Sequence, residues 1–228
     1  RLDCALFFRT GFRYIQREQA ASARADTRRD ASATTQVGKV EIVGIETLCM
    51  RTARLDLVAA TVEHLAAELE NTQRFGKLLG AVVLPSWPPG EYDRHAISYF
   101  HERLAEGDSS AAGWYVWYAI RRTTADCPAT LVAGGGYFGP PLQDGTVEVG
   151  YSVVPEWRRH GYATELVQAL VQRAFDDPAV RRILAEAEVA NVASIGVLKR
   201  CGFRRMGTGR EPHYDRFQRD REAAATAL

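Results

Sequence analysis

The sequence predicts one α+β domain, an α/β three-layer arrangement in which helices flank a mixed, mostly antiparallel sheet, and three observations carry that expectation. Segments 114–121, 130–138 and 147–154 have strand character and are separated by Asp, Pro and Gly turn residues, the pattern of an antiparallel meander. After Gly161 the apolar residues Ala163, Leu166, Val167, Leu170, Val171, Ala174 and Phe175 recur at i, i+3, i+4, i+7, which makes the clearest helix in the chain. Beyond it, strand-like 183–187, helix-like 192–201 and strand-like 203–206 alternate, and Gly202 ends the helix.

Residues 18–38 are Ala, Ser, Thr, Arg and Asp with almost no large apolar side chain, so burial cannot repay the entropy of ordering them. We therefore read 1–47 as a tail or extension, with Met50 just before the first patterned segment, 48–218 as the domain and 219–228 as a frayed end. Leu55, Leu57 and Val58 form a short strand, and Thr61 opens a helix with Leu65 and Leu69 on one face. Pro85, Pro88 and Pro89 break the chain around Trp87. Helical spacing resumes over 91–106 through Ile97, Phe100 and Leu104.

At 228 residues, 46% hydrophobic and 25% charged, the chain matches a globular domain large enough for one sizeable core. Lys+Arg 29 against Asp+Glu 28 leaves a net charge of +1, so no global field draws it to nucleic acid or an anionic membrane. The longest apolar stretches, such as 78–84, are far shorter than the ~20 residues of a membrane-crossing helix. Cys4, Cys49, Cys127 and Cys201 are far apart, without a Cys-x-x-Cys pair or a histidine cluster, which argues against a metal and for a reducing cytoplasm. Residues 1–8 lack the architecture of a secretory signal, whereas the arginine-rich, serine-containing stretch after them has transit-peptide composition.

The chemistry concentrates around Arg158-Arg159-His160-Gly161-Tyr162-Ala163, between a strand and the strong helix. Backbone N–H groups there have no helical partner, the helix dipole is positive, glycine permits close approach and two arginines add charge, so the turn suits a diphosphate. On strand 147–154, Val147, Val149, Tyr151 and Val153 take one face and Glu148, Gly150 and Ser152 the other. Glu148 is thus either a solvated strand glutamate or a base directed away from the core. At the next strand-to-helix junction, Asn191 and Ser194 are either a cap and a first-turn polar residue or ligand contacts.

Val147-Glu148-Val149-Gly150-Tyr151, Arg158-x-x-Gly161-x-Ala163, Asn191-Val192-Ala193-Ser194 and Leu198-Lys199-Arg200-Cys201-Gly202-Phe203 resemble the GCN5-related N-acetyltransferase superfamily. Within it they are most similar to the ribosomal-protein N-terminal acetyltransferase branch. The resemblance is specific over 146–206 and weaker at 51–55, and residues 71–113 match nothing in it. It implies a twisted, mostly antiparallel sheet with acyl-CoA between two splayed central strands. It also implies acetyl-CoA as donor and a primary amine as acceptor, either a protein N-terminus or a small amine such as an antibiotic. By the same resemblance, the 158–163 turn, with Arg158, Arg159, His160, Gly161, Tyr162 and Ala163, holds the pyrophosphate. Val153 and Val154 pair with pantetheine like an added strand, and Asn191 contacts the cofactor arm. Glu148 becomes the general base for an amine whose reference pKa is ~10 as a lysine or ~8 as a chain terminus. Ser194 becomes the hydrogen-bond donor to the departing sulfur. Leu198 departs from the family pattern, which places a tyrosine there, and a non-catalytic acyl-CoA-binding module is the competing reading.

Overall fold

The computed structural model describes residues 5–6, 37–42, 44–107 and 111–222. Its strands are β1 (Ala5–Leu6), β2 (Gly38–Ile42), β3 (Ile45–Arg51), β4 (Leu55–Ala59), β5 (Val116–Arg121), β6 (Thr130–Tyr137), β7 (Thr146–Val153), β8 (Arg182–Glu188), β9 (Arg204–Thr208) and β10 (Tyr214–Asp220). The helices are α1 (Val62–Glu70), α2 (Thr72–Leu79), α3 (Arg94–Glu106), α4 (Tyr162–Asp176) and α5 (Val192–Arg200). One sheet runs β2-β3-β4-β5-β6-β7-β8-β10-β9, with β1 against β7. Every pair is antiparallel except β7 and β8, which α4 joins by a crossover.

The expected alternation on β7 sorts the two layers. Val147, Val149, Tyr151 and Val153 pack with Leu166, Val167 and Leu170 of α4 and Val197 and Leu198 of α5. On the other face, Tyr118 and Leu131 pack with Leu65 of α1, Phe75 of α2 and Ile97 and Phe100 of α3. No helix among the described residues is long and apolar enough to cross a membrane.

Several expectations shift. The continuous strand order starts at Gly38, because β2 and β3 form a hairpin that extends past the tail boundary expected at 47. Of that tail, only β1 and residues from 37 onward, except 43, lie within the described residues. Residues 72–79, which matched nothing, form α2, capped by the Asn71 side chain and ended by Gly80 at φ 61°. The third helix starts at Arg94, not 91, because Asp93 Oδ1 accepts from the amides of His95 at 2.9 Å and Ala96 at 3.0 Å. The largest correction is at the C-terminus: 219–220, expected to fray, belong to β10, which lies between β8 and β9. Its residues Tyr-Asp-Arg-Phe-Gln-Arg-Asp show little apolar alternation, yet Phe217 is fully buried and Asp215 is held by Arg205 at 2.6 Å.

The 85–92 loop is fastened onto the sheet by one carboxylate. Glu68 of α1 accepts from Trp87 Nε1 at 2.7 Å, Tyr92 OH at 2.9 Å and Tyr118 OH at 2.6 Å. Trp87 lies on β6 over Gly134, where a Cβ would come within 3.0 Å of the ring. Ser152 of β7 donates to the Pro89 carbonyl at 3.1 Å and fixes the far side of the loop. Burial raises the Glu68 carboxyl to about 7, against the pull of its three donors. The native state therefore holds a proton that the unfolded chain loses nearer pH 4.5, so stability falls as pH rises through about 7 and levels off above it. Glu68→Gln removes the titrating proton. Thermal melts from pH 5 to 8 should show a shallower decline for Glu68→Gln than for the parent, and identical slopes would show that Glu68 does not titrate there.

Candidate active site

The site begins where the parallel pairing stops. β7 and β8 are in register only from Thr146↔Arg182 to Glu148↔Leu184. Beyond that point the strands separate, while β7 stays paired to β6 through Val153. The amide of Phe138 donates to the Glu148 carbonyl at 3.2 Å, and Val154 donates to Val132 at 3.0 Å. Strand alternation then turns the backbone groups of Glu148, Gly150 and Ser152 to β6, and those of Val149, Tyr151 and Val153 to the wedge. β1 pairs on this open edge at Tyr151 and Ser152, so the edge accepts an added strand. Of the two residues expected to pair with pantetheine, Val153 faces the wedge. Val154 does not: its N–H is spent on Val132 and its carbonyl accepts from Trp157 at 3.0 Å.

At the mouth of the wedge, the 158–163 turn forms a concave run of amides. Arg159 has φ 67° and Gly161 φ 83°, both left-handed, a combination that turns successive N–H groups inward. The first bond inside α4 is Glu165 N–H to Gly161 C=O at 3.1 Å, and no side chain caps the helix, so the amides of Tyr162, Ala163 and Thr164 face outward. They border a cleft of about 340 Å³ lined by Trp157, Arg158, Gly161, Thr164, Val192 and Arg200. Arg158 and Arg159 both line it, Arg158 also donating from Nε to the Val153 carbonyl at 3.2 Å. His160 lies outside that lining; its Nδ1 is 2.8 Å from the Arg158 carbonyl and its ring stacks on Tyr162.

A latch not foreseen from the sequence holds this turn. Glu165 Oε1 accepts from Thr52 Oγ1 at 2.6 Å and from the Arg54 amide at 2.7 Å, and Oε2 accepts from Arg54 Nε at 2.7 Å. Arg54 also donates to the His160 carbonyl at 2.8 Å and lies over the Tyr162 ring at 4.6 Å. Burial pushes the Glu165 carboxyl up, but the Thr52 hydroxyl and the Arg54 amide and guanidinium outweigh it and hold it below its ordinary value.

At the apex, Glu148 lies on the face away from α4 and α5, as the alternation predicts, with a side chain 9% exposed. It does not stand alone there. Arg210, from the β9–β10 turn, chelates both its oxygens, one contact being 2.8 Å. Glu186 of β8, on the same face, accepts from the Arg210 amide at 3.1 Å and from Arg216 Nε and Nη2 at 3.0 and 2.9 Å. The sequence reading missed Glu186, although the alternation that placed Glu148 also puts Leu184, Glu186 and Glu188 opposite the buried Ile183, Ala185 and Ala187. On the other face, Ser194 Oγ is 2.8 Å from Tyr151 OH, and both are buried. Asn191 is buried and acts as the cap of α5, its Oδ1 accepting from the Ser194 amide at 3.0 Å. Leu198, a turn later, is core. No metal-binding group of His, Cys, Asp or Glu occurs among the described residues.

Residues 47–204 match the family model described as acetyltransferase (GNAT) domain. The chain is 29% identical over 154 residues to the uncharacterized N-acetyltransferase YjdG of Bacillus subtilis (strain 168), covering 68% of this chain and 88% of that protein. Among solved structures, the RimL ribosomal L7/L12 alpha-N-protein acetyltransferase in complex with coenzyme A superposes with a TM-score of 0.53 at 17% identity, over 74% of this chain and 95% of that one. The ribosomal-protein-S5-alanine acetyltransferase from Vibrio fischeri gives 0.53 at 14% identity, over 75% and 96%. At these identities the structural likeness establishes the fold.

The cradle makes a quantitative expectation. A branched side chain at Gly161 cannot hold a φ of 83° without strain of about 1–2 kcal/mol. Gly161→Val should therefore lower the melting temperature and weaken coenzyme A binding about tenfold or more. Calorimetric titration checks this, and an unchanged affinity in a folded Gly161→Val protein would remove the turn from the binding site.

Proposed function

Because the chain belongs to the acetyltransferase (GNAT) family, whose model spans residues 47–204, we propose that it transfers the acetyl group of acetyl-CoA to a primary amine by direct attack in a ternary complex. The observation that carries this reading is the alignment of three features along one wedge: an amide cradle at its mouth, an open strand edge along its wall and Glu148 at its apex. A diphosphate is matched by the Tyr162, Ala163 and Thr164 amides and the charges of Arg158, Arg159 and Arg200. The pantetheine arm pairs with the edge presented by Val149, Tyr151 and Val153, where it takes the place of β1. Asn191 supports this wall by capping α5.

The amine attacks the thioester carbonyl in its neutral form, so it must shed a proton. Glu148 accepts it. Arg210 fixes both carboxylate oxygens from one side, and each oxygen keeps a further lone pair for the incoming N–H. The carbon–nitrogen bond forms, the carbon–sulfur bond breaks and the sulfur leaves as a thiolate. Ser194, with Tyr151 hydrogen-bonded behind it, supplies the hydroxyl for that sulfur on the α4–α5 face, the role the family gives to a tyrosine at the position of Leu198. Cys49, Cys127 and Cys201 are all free thiols, in keeping with a reducing, cytoplasmic setting.

Glu148→Gln should lower kcat by about 100-fold or more while leaving acetyl-CoA affinity unchanged, because the amide keeps the shape and loses the base. The assay is thiol release across amines and N-terminal peptides, with affinity taken from calorimetry. Unaltered turnover would take Glu148 out of the mechanism. Saturable acetyl-CoA binding with no turnover on any amine would instead make the protein a binding module.

A further inference from the structure

A second cavity, of about 310 Å³, opens on the face opposite α4 and α5, directly beyond the apex. Glu148 and Arg210 form one end, Arg182 and Asp144 the other, and Leu184 and Leu142 contribute apolar surface. The register gives the order along it. Glu148 lies beside Leu184, and Arg182 precedes Leu184 by two residues, so its side chain leaves the same face roughly 7 Å further along the strand.

Three arginines line this cavity, and two are committed. Arg210 holds Glu148, and Arg216 holds Glu186. Arg182 is different: the Nε atoms of Arg182 and Arg210 are both buried without an acceptor, but Arg210 is held through its Nη atoms, whereas the Arg182 side chain makes no hydrogen bond or ion pair among the described residues. Asp144 lies within its field, but the two Asp144 oxygens accept from the Thr146 amide at 3.0 Å and the Thr146 hydroxyl at 2.9 Å. A guanidinium without a partner is costly in a part-buried site, and the two oxygens of a carboxylate or phosphate-type group are what its donor fork fits best.

Resting on the acetyltransferase reading, we propose that the acceptor is a small primary amine bearing a carboxylate or phosphate-type group on a short apolar spacer. Its amine meets Glu148, its methylenes cross Leu184, and its anion pairs with Arg182. An acceptor lacking the anion leaves Arg182 unpaired, and one lacking the spacer cannot reach both ends.

The test compares three acceptors with acetyl-CoA as donor: 5-aminopentanoate, 4-aminobutylphosphonate and pentylamine. The anion-bearing amines should exceed pentylamine in kcat/KM by about tenfold or more, through KM, and the better of the two identifies the anion. Arg182→Gln should abolish that advantage while pentylamine turnover and acetyl-CoA affinity stay the same, and Arg182→Lys, which keeps the charge, should restore part of it. The wild-type comparison stands even if a variant fails to fold. Equal kcat/KM for all three acceptors, or an equal loss for all three in Arg182→Gln, overturns the inference. Turnover on an N-terminal peptide but on none of the three overturns it too, with the acetyltransferase reading intact. No turnover on any amine defeats both.

Discussion

The parting of β7 and β8 after Glu148 and Leu184 is the constraint on which the rest of the molecule is built. A parallel pair inside a sheet ordinarily continues until one strand ends. Here β7 stays hydrogen-bonded to β6 and β8 turns with β10, so Val149, Tyr151 and Val153 direct their backbone groups to a side that β8 has left. Such an edge inside a sheet invites an extended chain, and β1 already lies on it. The wedge also lies between two surfaces: the face covered by α4 and α5, carrying Tyr151 and Ser194, and the opposite face, carrying Glu148 and Glu186.

Two latches keep the mouth and the opposite face of the sheet in place. At the mouth, Glu165 of α4 ties the first turn of that helix to the β3–β4 turn, and Arg54 braces the carbonyl of His160 from the same point. Arg159, a non-glycine residue at φ 67°, and Gly161 thus lie beside a network that fixes the chain around them. On the face opposite α4 and α5, Glu68 gathers Trp87 and Tyr92 of the 85–92 loop with Tyr118 of β5, and that loop is joined to Ser152 of β7 through Pro89. Both latches use one carboxylate to satisfy several donors from distant segments, which orders loops that lack regular structure of their own.

The apex shows a similar economy. Arg210 and Arg216 distribute two guanidinium groups over Glu148 and Glu186, so that two neighbouring carboxylates coexist in a nearly closed space. Glu186 receives backbone and side-chain donors and is almost wholly buried, which suits a fixed structural anchor. Glu148, by contrast, borders the cavity.

The sequence by itself determined the strands and helices whose apolar periodicity is local: β5 to β7, α4, and the β8–α5–β9 run, together with the 158–163 turn and the outward face of Glu148. Those features follow from alternation, helical spacing and glycine at a helix start, which a few adjacent residues specify. Only the tertiary structure decided what depends on distant partners. β10 is a strand because it completes hydrogen bonds between β8 and β9, although its own residues show little alternation. Val154 is excluded from the wedge by Val132 and Trp157. Arg54 reaches Glu165 across 111 residues and Arg210 reaches Glu148 across 62, separations at which no sequence period can register a pair of charges.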